Sequence, residues 1–137
     1  MDTLASKALR NSQRWLSSSS SSYISESYDI AVYELEMAGE VALKALLIHS
    51  GLEVPKRHDV SRILRSLAHD NDIVPLNKMN KFFEFLDTFD RVTKFRGDAG
   101  YSYESSQDLD TFKELYQLYN EKINQLVEFA SDIINSK

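Results

Sequence analysis

No cysteine occurs in the 137 residues, and that one absence removes disulfides, thiolate metal sites and a cysteine nucleophile together. It fits a reducing compartment. No apolar run reaches the roughly 18 residues that a membrane-crossing helix needs. The start, Met1-Asp-Thr-Leu-Ala-Ser-Lys7, lacks the basic-then-apolar order of a signal peptide. No stretch alternates apolar and polar residues as a half-buried strand would. There is no glycine-rich phosphate loop, no nucleophile elbow and no HxxxH or HExxH pairing among the three histidines. No histidine–carboxylate group has metal-ligand spacing. The expectation is a cytoplasmic all-α protein with no membrane, metal or cofactor partner.

What is present is an ordinary globular balance, 42% apolar and 27% charged residues, in a chain long enough for one core and too short for two. A single domain over residues 1–137 is expected. The net charge of −5 opposes a general affinity for nucleic acid. It is unevenly spread. Residues 56–65 hold Lys56, Arg57, Arg62 and Arg65 against Asp59, while residues 104–137 hold seven acids and three lysines. The basic segment is either a solvated helix face or a local site for a phosphate or an acidic partner.

One stretch organises the rest. In Tyr28–His49, residues Ala31, Leu35, Ala38, Ala42 and Ala45/Leu46 recur at three- and four-residue steps, and Gly39 lies beside them. A face of such small side chains admits close neighbours, which predicts a central helix crossed by several others. Glu40 and Lys44 stand four apart, acid first, the order favoured for an ion pair on a solvated helix face. This helix should run from about 27 to 50 and stop at Gly51. Before it, Leu4, Ala8, Trp15, Leu16, Tyr23 and Ile24 share one helical phase from about 3 to 24. The six serines Ser17 to Ser22 form a soft spot within that helix or, alternatively, a flexible linker. Val54-Pro55 enforces an extended connection. A short third helix is predicted over about 59–69, and a fourth from Pro75 to about 93. The fourth carries the stripe Leu76, Met79, Phe82/Phe83, Leu86 and Phe89, fit for core or for a dimer interface. Lys94–Tyr103, with two glycines, breaks the helices. A last helix starts near Ser105, with Asp108 three residues on. The fold class is an antiparallel bundle of about five helices.

The helix reading Tyr28-Asp-x-Ala31 and then Ala38-Gly-Glu-Val-Ala-Leu-Lys-Ala-Leu-Leu47, followed by Gly51 and by His58-Asp59 at the next helix, resembles HEPN domains over nearly the whole chain. The resemblance implies an up-and-down bundle, with Glu40, Lys44, His58 and Asp59 in structural or positioning roles. HEPN ribonucleases carry an Arg, four to six residues, then a His, and work on RNA without metal. Here the corresponding place reads Arg91-Val-Thr-Lys-Phe-Arg96. Arginine stays protonated at physiological pH and cannot act as the general base. Arg62 and His69 also match the bare spacing, but they belong to the short third helix. His49 is assigned a structural place near the end of the central helix and His69 a place on the surface.

What remains is a basic aromatic turn of Arg91, Lys94, Phe95, Arg96, Tyr101 and Tyr103. Guanidinium forks bind phosphate, and exposed aromatic rings stack on bases. The turn is similar to that of archaeal-type HEPN proteins without the ribonuclease motif. That resemblance implies a non-catalytic homodimer, paired in toxin–antitoxin fashion with a small nucleotidyltransferase. The ligand expected at Arg91, Lys94, Arg96, Tyr101 and Tyr103 is a nucleotide or RNA, and the Phe82–Phe89 stripe is the expected dimer face. The alternatives are a metal-independent ribonuclease toxin using Arg91 and His58, and a helical scaffold without ligand.

Overall fold

The computed structural model describes residues 2–56, 58 and 60–136. Among them are six α-helices and no strand: α1 (Leu4–Ile24), α2 (Tyr28–His49), α3 (Val60–Leu67), α4 (Met79–Thr93), α5 (Arg96–Gly100) and α6 (Leu109–Asn135). No helix is long and apolar enough to cross a membrane among the described residues. The chain is an all-α bundle, as expected. Its refinements are local. The segment after α4 is not open loop but holds α5 and a 3₁₀ turn over Ser102–Glu104. Pro75 caps a 3₁₀ turn, Leu76–Lys78, that runs into α4. The last helix begins at Leu109 because Asp108 is itself the N-cap, its carboxylate accepting the Thr111 N–H at 2.9 Å.

α1 is one unbroken helix through the serines, so neither the soft spot nor the linker is needed. Thr3 caps its start. The serines serve packing: Ser19 donates to the Ala31 carbonyl at 2.6 Å, and Ser12 to the Ala38 carbonyl at 2.7 Å. Both serines are buried. Hydroxyls satisfied by a neighbouring backbone can enter an interface without the penalty of an orphaned polar group. Their small size lets α1 lie close against the alanines of α2.

α2 touches all five other helices. Its inward residues join one contiguous core with Phe82, Leu86 and Phe89 of α4 and Phe112, Ile123 and Leu126 of α6. Phe82 and Phe89 are wholly buried inside this chain. These two are therefore core, the first of the two readings that the stripe allowed, and not a dimer face. At the crossing, a Cβ on Gly39 would come within 3.1 Å of Phe89 Cδ1 and 3.4 Å of Ile123 Cδ1. Glycine sets the distance at which three helices meet.

Gly39→Val is accordingly expected to destabilise the fold by about 1–3 kcal/mol through overpacking. Urea denaturation should show a lower midpoint at unchanged slope. An unaltered midpoint would mean that α4 and α6 can part from α2 without loss.

Candidate functional site

The outward flank of α2 carries a polar cluster that its sequence pattern disguises. Glu36 and Glu40 lie one turn apart and are 0% and 2% exposed. The pairing of Glu40 with Lys44 is present at 3.0 Å, but it is not the solvated surface pair expected. Glu40 is covered, with one oxygen held by Lys44 Nζ and the other 2.8 Å from His58 Nδ1. Glu36 Oε1 accepts from Thr93 Oγ1 at 3.2 Å, and its Oε2 lies 3.3 Å from Arg96 Nε, out of line for a hydrogen bond. The two carboxylates thus join α2 to the end of α4, to α5 and to the connection before α3. The role assigned to Asp59 lies outside the described residues.

Two buried carboxylates this close cannot both ionise freely. Burial, then the Glu40 charge and a hydrogen bond to it, push Glu36 up to about 8, against the opposing pull of Arg96 and Thr93. Burial also acts to raise Glu40, but hydrogen bonds from Lys44, His58 and Glu36 outweigh it and hold Glu40 below the usual glutamate range. At neutral pH the pair holds one proton, on Glu36. The positive charge of Arg96 is therefore not cancelled by its nearest carboxyl.

The residues expected to bind ligand do not form one patch. Arg96 is turned inward, its guanidinium 5.0 Å over the Tyr33 ring and donating to the Tyr33 hydroxyl at 3.2 Å. Arg91 is exposed and lines a cleft of about 350 Å³ between α4 and α6 with Lys81, Asp87, Lys122 and Gln125. In that cleft Lys81 lies 3.6 Å from Glu84, and Asp87 is taken by Arg65 at 2.7 Å. Among the described residues Arg91 and Lys122 make no ion pair, which leaves two cations facing the opening. Lys94 is exposed at the end of α4. Tyr101 borders a second cleft with Trp15, Tyr33 and Glu34. Tyr103 borders a third with Asp29, Asp108 and Leu109. His69 is exposed, as expected, and so is His49.

Sequence reasoning missed Glu34 and Glu36. Both fall beside the alanine face of α2. The signal for Glu34 was the four-residue spacing of Ser18 and Ser22 in the facing helix, whose hydroxyls both donate to its carboxylate. No group of three or more His, Asp or Glu side chains is placed to hold a metal among the described residues.

A family model, HEPN domain, matches residues 5–136. No curated protein and no solved structure matches the chain at a significant level.

The shared proton fixes a sign for pH dependence. A carboxyl whose pKa rises from 4.5 unfolded to about 8 folded stabilises the fold fully below pH 4.5, and that contribution is lost as pH climbs through 8. Thermal melts should fall between about pH 4.5 and 8 and level off above that, with up to about 1.4 kcal/mol per pH unit from this one group. Glu40, shifted the other way, loses its contribution only at acid pH. Glu36→Gln keeps the neutral shape and should flatten that decline. An equally steep decline in the variant would place the proton elsewhere.

Proposed function

The chain belongs to the HEPN domain family, and on that premise we propose that it is a non-catalytic interaction protein that binds RNA or a nucleotide through phosphate. The α4–α6 cleft is its anion site, with Arg91 and Lys122 as the contacts. A second copy of the chain and a small nucleotidyltransferase, in a toxin–antitoxin arrangement, are its proposed partners.

The observation that carries the reading is the division of labour between Arg91 and Arg96. Arg91, without an ion pair among the described residues, opens on a cleft that it shares with Lys122, Lys81, Glu84 and Asp87. Arg96, standing where a ribonuclease of this family has its histidine, is bound inward to Tyr33 beside Glu36. A guanidinium in that place stays protonated and takes no proton from a 2′-hydroxyl. Two local cations are enough for a salt-sensitive phosphate contact on a chain whose net charge is negative. A second reading, a metal-independent ribonuclease using Arg91 and His58, draws support from the His58–Glu40 contact. A carboxylate on Nδ1 is the arrangement that fixes the tautomer of a histidine base.

Fluorescence anisotropy with a labelled single-stranded RNA, in EDTA and low salt, tests both. The joint substitution Arg91→Glu and Lys122→Glu should weaken binding by roughly a hundredfold, since each phosphate contact is reversed in sign. The RNA should stay intact throughout. Cleavage by the unmodified protein that disappears in Arg91→Ala or His58→Ala would establish the ribonuclease reading instead. Binding that survives the double substitution would remove the cleft from the account.

A further inference from the structure

The cleft beside Tyr101 differs in kind from the phosphate cleft. It measures about 340 Å³ and opens where α1, α2 and α5 meet. Its walls are aromatic: Trp15 from α1, Tyr33 from α2 and Tyr101 after α5, the last 58% exposed at the mouth. Its polar groups are opposite in charge. Glu34, 8% exposed, has both carboxylate oxygens engaged by the hydroxyls of Ser18 and Ser22. Each of those oxygens keeps a free lone pair. Arg96 lies over Tyr33 and uses one terminal nitrogen on the tyrosine hydroxyl, while its other terminal nitrogen makes no hydrogen bond among the described residues.

Closure of this cleft is built into α5. A Cβ on Gly100 would meet the Tyr33 ring at 3.0 Å, so glycine lets the end of α5 settle on that ring, and bring Tyr101 to the rim, without displacing it. The carboxylate is likewise held in place before any ligand arrives, by two hydroxyls on successive turns of one helix. Such an arrangement is prepared for a flat ligand that offers donors to Glu34 and an acceptor to Arg96.

We propose that this cleft binds a guanine base, stacked among Trp15, Tyr33 and Tyr101, with Glu34 accepting from N1–H and the 2-amino group and Arg96 donating to O6. The proposal deepens the nucleic-acid reading above and rests on it, but it uses a different cleft. The choice of base follows from hydrogen-bond chemistry. An ionised carboxylate only accepts. Guanine alone among the common bases presents two adjacent donors beside an acceptor on its Watson–Crick edge. Adenine and cytosine place a ring lone pair where the second donor should be, and uracil flanks its one N–H with carbonyls. A simple organic cation fits poorly, because Arg96 already brings a positive charge to the cleft. Stacking of bases on aromatic side chains with readout of this edge is a common way to recognise an unpaired base.

Trp15 is the only tryptophan, so its emission reports on this cleft. Guanosine, which has no phosphate, is titrated into the full chain with excitation at the red edge of the tryptophan band. Saturable quenching is expected, with adenosine at least about tenfold weaker, the discrimination of one good bidentate contact. Glu34→Gln and, separately, Tyr101→Ala should each weaken guanosine binding about tenfold or more. Tyr101 is exposed, so its loss leaves the fold intact even where Glu34→Gln does not. Arg91→Glu should leave the guanosine response unchanged while weakening RNA binding, which separates failure of the base pocket from failure of the phosphate cleft. No saturable quenching, equal response to adenosine, or full binding by Tyr101→Ala would each overturn the proposal.

Discussion

Two carboxylates one turn apart can be buried together only if one of them keeps its proton. That condition on Glu36 and Glu40 governs much of this molecule. It lets α2 carry two acids into its packed flank, where a second full negative charge would be costly to desolvate. It decides how the pair is divided between partners: the ionised Glu40 gathers Lys44 and His58, and the neutral Glu36 meets Thr93 and Arg96. Through those contacts the end of α4 and the start of α5 are tied to the central helix beside the buried Val92 and Ala99. The apolar packing sets how closely the helices approach. The shared proton sets where the polar ends of three segments come to rest.

The helices were legible because their evidence is repetitive. The alanine steps of α2 and the phenylalanine steps of α4 recur over many residues, and each repeat restates the same inward face. The polar cluster was not legible, because burial of an acid depends on what covers it from other elements. Glu34 and Glu36 carry the same letter as the exposed acids of α6, and nothing in α2 alone marks them out; Glu40 stood out by its spacing to Lys44, but its burial did not. Short elements failed for a related reason. α5 is held by Tyr33 beneath it and by its polar contacts, and its own five residues have little helical preference. The stripe of Phe82 and Phe89 shows the limit from the other side. Periodicity identified an apolar face correctly but could not say whether α2 and α6 or a second chain would cover it.

The same distinction separates the candidate sites. Arg91 and Arg96 look equivalent in the sequence, five residues apart in one basic turn. Five residues on a helix that ends between them turn one side chain outward and the other inward, and their surroundings then make them different tools. Arg91 faces an open cleft beside Lys122. Arg96 is desolvated on a ring and held by neighbours, so it can contribute direction but not mobility. A ligand that met both clefts would be read in two ways, by charge at one and by edge chemistry at the other.

The serine run carries a consequence that its hydrogen bonds alone do not reveal. Six identical residues cannot tell one alignment of α1 on α2 from the next, so the run holds no information about register. That information lies outside it, in Trp15, Leu9 and Ser12 on one side and Tyr23 on the other. Insertion or loss of a single serine would turn everything before it by about 100° around the helix axis, swinging Leu9 into solvent and an exposed neighbour into the core. A change of seven residues, close to two full turns, is the shortest that comes within about 20° of the original phase. The part of the chain most uniform in composition is thus a part whose length is fixed by its neighbours.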